Sequence, residues 1–256
     1  MRRFYQESWQ GIPFTSFSHI SFFHLAEPKF YAVFYEELFR RYKSWDDLPS
    51  VWRENKRKDA KWLIGQLHAK LAQDSADRKE PVRVLSIGSG VGYMERILLE
   101  EMPELELHVN EPSTVGMKWL REYIPSDRIY IGLPPACLPS DVQYDMIYLS
   151  TVDYGIPTRE FQHLLWELRA QLAPGGELVL LSASLLEEDS FIGSFVNAIK
   201  IGIRAALHYM GIRRQQFWGW RRTQDEYRDL FKEAGFTKVR DGWLEDGFET
   251  YWIRGQ

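Results

Sequence analysis

The sequence predicts an α/β fold built on a mostly parallel sheet with an antiparallel C-terminal edge pair. An N-terminal helical cap and a helical insertion after the fifth strand are added to it. Three observations carry this reading. Short apolar runs alternate with amphipathic helical segments from Val82 to Ser182, the pattern of strands joined by crossover helices. A glycine-rich turn (Gly88, Gly90, Gly92) follows the first run directly. The fifth run, Glu177 to Ser182, is almost wholly apolar, as a central strand covered on both faces must be.

Taken in order, residues 1–28 carry Gly11, Pro13 and Pro28 as breakers and read as irregular. Phe30, Phe34, Leu38 and Tyr42 recur at i+4 and predict a helix over 29–45. Asp46 and Asp47 ahead of Pro49 read as the cap of a second helix carrying Trp52, Leu63, Ile64, Leu67 and Leu71. The polar stretch 73–81 connects onward. Strands are expected at 82–87, 106–110, 128–131, 144–150 and 177–182. Helices are expected at 93–101, 115–123 and 158–172, the last stopped by Pro174, Gly175 and Gly176. Thr223 caps a helix over 224–234 that Gly235 ends, and segments beginning at Gly235 and Glu249 supply the edge pair. The chain therefore divides into an aromatic lid and helical cap, 1–80, and a main domain, 81–256, with the insertion at 185–222.

Composition narrows the class. The 256 residues are 45% hydrophobic, enough for a full core. The net charge of −4 argues against a general nucleic-acid surface. Cys137 is the one cysteine, which excludes an intrachain disulfide and thiolate zinc sites, and no His, Cys, Asp and Glu spacing suggests another metal site. The N-terminus lacks a signal-peptide core, and the nearest approach to a membrane span, 191–212, is broken by Asn197, Lys200, Arg204 and His208. A soluble cytoplasmic protein is expected. Aromatic residues reach 15%, with ten Trp, and crowd residues 4–23 and 217–220. They read either as packing or as an aromatic acceptor pocket.

The central motif is PVRVLSIGSGVGYMERILLEE, residues 81–101, followed by LELHVNE closing on Glu111. A tight strand-to-helix turn needs glycine conformations, and a carboxylate about 20 residues on is placed to accept bonds from ribose hydroxyls. The dinucleotide pattern needs a glycine where Tyr93 stands, and no Walker lysine follows. The G-x-G-x-G turn, Glu111, YDMIYL at 144–149 and LAPGGELVLL at 172–181 together resemble class I S-adenosylmethionine-dependent methyltransferases, over about residues 80–184 and 223–253.

The resemblance implies a Rossmann-like sheet, S-adenosylmethionine as cofactor, and cofactor contacts from Gly88, Ser89, Gly90, Gly92, Glu111, Pro112, Ala136 and Ser150. It departs from the pattern at Pro134, which stands where many members carry an adenine-contacting Asp. The end of the fourth strand would face the methyl group, making Asp153 and Tyr154 candidates for substrate contact; a turn carboxylate is the structural alternative for Asp153. His19, in the aromatic lid, is a candidate general base because its ordinary pKa lies near neutrality.

The insertion has no acidic residue from Ser190 to Gln224 but carries Lys200, Arg204, Arg213, Arg214, Arg221 and Arg222. Ile192, Phe195 or Val196, Ile199, Ile203, Leu207 and Met210 form an apolar stripe, with Lys200, Arg204 and His208 opposite it. It reads as a structural cover, as a lid for an anionic acceptor with Trp218, Arg221 and Arg222 as contacts, or as a peripheral membrane contact through 191–222. The expected function is methyl transfer to a small or medium acceptor, with oxygen the preferred nucleophile. The alternative is a methyltransferase-fold binding protein without turnover. Neither the acceptor nor the oligomeric state is encoded legibly.

Overall fold

The computed structural model describes residues 2–6, 8–9, 12–13, 28–73, 80–186, 216–244 and 250–256, with scattered positions between 196 and 210. The elements are β1 (Arg2–Gln6), β2 (Ser8–Trp9), β3 (Ile12–Pro13), α1 (Pro28–Arg41), α2 (Ser50–Gln73), β4 (Arg83–Ile87), α3 (Tyr93–Glu101) and β5 (Glu106–Glu111). They continue as β6 (Ile129–Ile131), β7 (Tyr144–Ser150), α4 (Thr158–Ala170), β8 (Leu172–Ser182), β9 (Gln216–Arg221), α5 (Gln224–Glu233), β10 (Val239–Trp243) and β11 (Tyr251–Gly255).

Seven strands form one sheet in the order β10-β11-β8-β7-β4-β5-β6. Pairings from β6 to β8 are parallel, and β11 and β10 add antiparallel at the edge. Successive strand residues face opposite sides. Ile147, Leu149, Leu178 and Leu180 join Phe161, Leu165, Tyr227 and Phe231 in one core, while Met146, Tyr148, Val179 and Leu181 join Ala60, Leu63, Leu67 and Leu98 in the other. A third cluster packs α1 residues Phe34, Tyr35, Leu38 and Phe39 with Trp45, Val91, Tyr93 and Trp119. The long helix α2 therefore serves twice: Trp52 packs with the cap, and Ala60, Leu63 and Leu67 close one face of the sheet.

Several expectations need correction. The N-terminal segment is not irregular throughout: β1 pairs antiparallel with β9, so the end of the insertion returns as a strand. Residues 115–123 form two 3₁₀ turns, Gly116–Lys118 and Leu120–Glu122, instead of an α-helix. Gly116 there lies so close to the Tyr35 ring that a Cβ would sit 2.9 Å from it. Asp47 belongs to a 3₁₀ turn, Trp45–Asp47, where its carboxylate accepts from the Lys43 and Ser44 backbone N–H groups, and α2 begins at Ser50. Leu172 belongs to β8, where the Pro174-Gly175-Gly176 stretch produces a register shift between Tyr144 and Met146 on β7. Of the described positions of the insertion's apolar stripe, Val196, Ile199, Ile203 and Met210 are exposed and Leu207 is half-buried.

Candidate active-site cleft

Chain order leaves β4 toward β5 and β6, then returns to β7 on the other side of β4. Ligands of open α/β sheets sit at such a switch point, beyond the carboxyl ends of the strands. A cavity of about 170 Å³ lies there, lined by the tips of β4 (Gly88–Gly90), β5 (Glu111, Pro112) and β7 (Ser150–Val152). The cap supplies its other wall: Tyr31, Phe34 and Tyr35 from α1, Trp52 and Lys56 from α2.

The turn after β4 is built as its glycines require. Gly88, Gly90 and Gly92 have φ of 66, 61 and 74°, values that side chains with a Cβ rarely adopt. The Ser89 N–H donates to the Asn110 carbonyl (3.0 Å), tying the turn to β5. The Gly90 N–H then reaches the Glu111 carboxylate at 3.0 Å, and the Ser113 N–H reaches its other oxygen at 3.3 Å. The Tyr35 hydroxyl donates to the same carboxylate. Glu111 is 2% exposed, and burial raises its pKa to about 7 against the lowering effect of those three donors. The result is a carboxylate held by backbone at the cleft wall, with its remaining acceptor capacity available to a neutral hydroxyl donor.

At the other end of the cleft, Lys56 donates to the hydroxyls of Ser150 and Thr151, both at 2.7 Å, and pairs with Asp59 at 3.1 Å. Thr151 has φ of 59°, the one positive value for a non-glycine among the described residues. Such strain costs of order 1–3 kcal/mol and collects at functional sites. Between the two ends, Glu95 is buried beneath the turn, where it accepts from Ser86 and Tyr148 at 2.6 Å each. Burial raises its pKa as well.

No protein-family model and no curated protein matches the chain. Solved structures do. Human N-acetylserotonin methyltransferase, in complex with S-adenosylmethionine, matches 96% of this chain and 60% of its own at 16% identity, with a TM-score of 0.55. Mitomycin 7-O-methyltransferase MmcR matches 92% and 60% at 16% identity and the same score. PigF with S-adenosylhomocysteine matches 93% and 62% at 17% identity, again at 0.55.

The chain has the class I methyltransferase fold. The likeness is one of fold, and the chain spans about three-fifths of the length of these neighbours. None of the described helices is long and apolar enough to cross a membrane.

Within this methyltransferase fold, the expected cofactor contacts divide. Gly88, Ser89, Gly90, Glu111, Pro112 and Ser150 line the cleft. Gly92 does not: it faces Leu120, which a Cβ would overlap, so its part is to shape the turn. Ala136 lies on an exposed turn away from the cavity. The segment that holds it is tied to β5 by Asn110, which donates to the Tyr130 and Gly132 carbonyls and to the Cys137 sulfur.

The candidate catalytic residues also separate. Tyr154 lines the cleft, but burial holds its hydroxyl well above the usual tyrosine pKa. Asp153 turns the other way. It is fully buried, and its carboxylate accepts from Ser182 (2.9 Å), Ser184 (3.3 Å) and Tyr227. It acts as an anchor of the 153–155 turn, the structural alternative. Arg222 is likewise no open anion contact: it is fully buried, donates to the Asp153 and Ile156 carbonyls, and lies over the Phe161 ring. Arg221 is exposed beside it on β9. His19 and the Trp218 side chain lie outside the described residues. Asp145, on β7, accepts from the Arg83 N–H at 2.9 Å.

Sequence reasoning missed Tyr35, Trp52, Lys56 and Thr151. A signal for Lys56 existed. Residues 52, 56, 60, 63 and 67 share one face of α2, and Lys56 is the cation on that otherwise apolar stripe.

Proposed function

We propose that this chain is an S-adenosylmethionine-dependent methyltransferase that methylates a hydroxyl of a small acceptor. The observation that carries the reading is Glu111: a buried carboxylate, fixed by Gly90 across a positive-φ turn, at the tip of the second parallel strand. This arrangement suits a ribose diol, which offers two neutral donors. Bound in the cleft, S-adenosylmethionine would supply an electrophilic methyl group. The residues of the chain do the rest. Glu111 accepts from the ribose, and the turn at Gly88–Gly90 permits close backbone approach. Tyr31, Phe34, Trp52 and Tyr154 form a wall that excludes water and favours an acceptor with a planar or apolar body. The oxygen preference draws on the fold's likeness to an O-methyltransferase of mitomycin.

A second reading has an observation of its own. With Asp153 turned into the core, the carboxylates that remain among the described cleft residues are Glu95, which accepts from Ser86 and Tyr148, and Glu111, which the cofactor reading gives to the ribose. That favours a methyltransferase-fold binding protein. Calorimetric titration with S-adenosylmethionine and S-adenosylhomocysteine, followed by methyl transfer to a panel of hydroxylated aromatic and sugar acceptors, separates the two. Binding with transfer supports the enzyme, and binding without transfer to any of the panel supports the second reading. Absence of binding to either compound overturns the cofactor assignment.

A further inference from the structure

Among the described residues that line the cleft, Lys56 is the one cation. Its side chain is 13% exposed, and it comes from the helical cap, outside every motif that suggests the cofactor. Burying an ammonium is costly unless it is paired and hydrogen-bonded. Here Asp59 pairs with it from the next turn of α2, and Ser150 and Thr151 accept its other protons. Of the two hydroxyls that accept from Lys56, Ser150 directs its proton at the Asp59 carboxylate at 3.5 Å, and Thr151 keeps its own to donate. The β7 end of the cleft thus brings the Lys56 ammonium and the Thr151 hydroxyl together, donors suited to a carboxylate that takes the place of one of the ammonium's present hydroxyl acceptors. The strained Thr151 backbone places one of those hydroxyls.

The strand order decides which carboxylate. The tips run β5, β4, β7, so a ligand whose ribose meets Glu111 extends across Gly88–Gly90 to Lys56. The methionyl group of S-adenosylmethionine ends in an α-amino acid. We infer that Lys56, with Thr151 beside it and Asp59 as its positioning residue, binds that α-carboxylate. The inference rests on the cofactor reading above and extends it. The cap, expected only to cover the acceptor, then forms half of the cofactor site.

The test compares two ligands that differ at this end. S-adenosylhomocysteine carries the carboxylate, whereas 5′-methylthioadenosine keeps adenine and ribose and lacks it. Affinities are measured by calorimetry for the wild type, Lys56→Met and Lys56→Arg. Expected is a loss of about 10- to 100-fold for S-adenosylhomocysteine in Lys56→Met, as for one charge-assisted contact. Affinity for 5′-methylthioadenosine should stay within about twofold, which also shows that the variant is folded, and Lys56→Arg should recover part of the loss. Equal loss for both ligands would make Lys56 a shaping residue and overturn the proposal, as would unchanged affinity for both. If the wild type binds neither ligand, the cofactor reading itself fails, and the inference with it. If Lys56→Met does not fold, the same ligand comparison in Lys56→Arg and Thr151→Val decides, with selective loss for the carboxylate ligand again required.

Discussion

Replacing Glu111 with Gln tests the ribose assignment most directly. A carboxylate offers about four lone-pair sites. The Gly90 and Ser113 N–H groups take two, and Tyr35 takes a third. A ribose diol needs two, so Tyr35 must yield one. Gln keeps a single acceptor oxygen and turns an NH₂ toward a donor. A net hydrogen bond to a charged group is worth about 1.5–3 kcal/mol, so S-adenosylhomocysteine should bind the variant about 10- to 150-fold more weakly. Calorimetry at pH 8 measures this, and a dissociation constant within twofold of wild type would refute the reasoning. The pH dependence provides a second arm. Burial raises Glu111 to about 7, and donation by ribose favours its ionised form. Wild-type affinity should therefore rise from pH 6 to pH 8 and then level off, while the Gln variant shows no such slope. Stability runs in the opposite direction. The folded-state value lies above the ordinary 4.5, so this group's contribution is full below that value and is lost as pH rises through 7. The loss amounts to about 3 kcal/mol at pH 8. Urea unfolding at pH 5 and pH 8 should show the Gln variant gaining on the wild type at the higher pH.

Tyr35→Phe removes the surplus donor on Glu111, so S-adenosylhomocysteine should bind about 3- to 10-fold tighter; weaker binding would mean that Tyr35 orients the carboxylate. Asp153→Ala leaves the hydroxyls of Ser182, Ser184 and Tyr227 without their acceptor and should cost about 3 kcal/mol in urea unfolding. The folded fraction should keep its S-adenosylhomocysteine affinity, and selective loss of binding at full stability would return Asp153 to the site. Gly92→Ala forces a Cβ onto Leu120 at φ 74° and should lower the urea-unfolding free energy by at least about 1–3 kcal/mol. Unchanged stability would show that the turn tolerates a side chain.

Much of the sheet was legible because its signals are local. The α3 and β7 bounds follow from apolar periodicity, and the Thr223 cap with its Glu226 partner is a four-residue pattern. The edge pair was implied by the resemblance, and its first strand begins at Val239 instead of Gly235. The β1–β9 pairing was not, because it joins residues 2–6 to 216–221 and no short-range pattern encodes such a contact. Residues 115–123 have helical periodicity, yet Tyr35 closes over Gly116 and the chain takes two 3₁₀ turns.

The same division holds at the site. The sequence by itself determined the glycine turn and Glu111, since both are fixed by spacing along one strand-turn-helix-strand unit. Only the tertiary structure decided which polar side chains face the cleft. Asp153 and Arg222 sit at motif-like positions but turn inward, where Tyr227, the serines and backbone carbonyls satisfy them. Lys56, one charge among many in RENKRKDAK, is carried by the packing of α2 to the end of β7. A side chain's direction depends on what the opposite element offers it, and that partner is 94 residues away for Lys56 and Ser150.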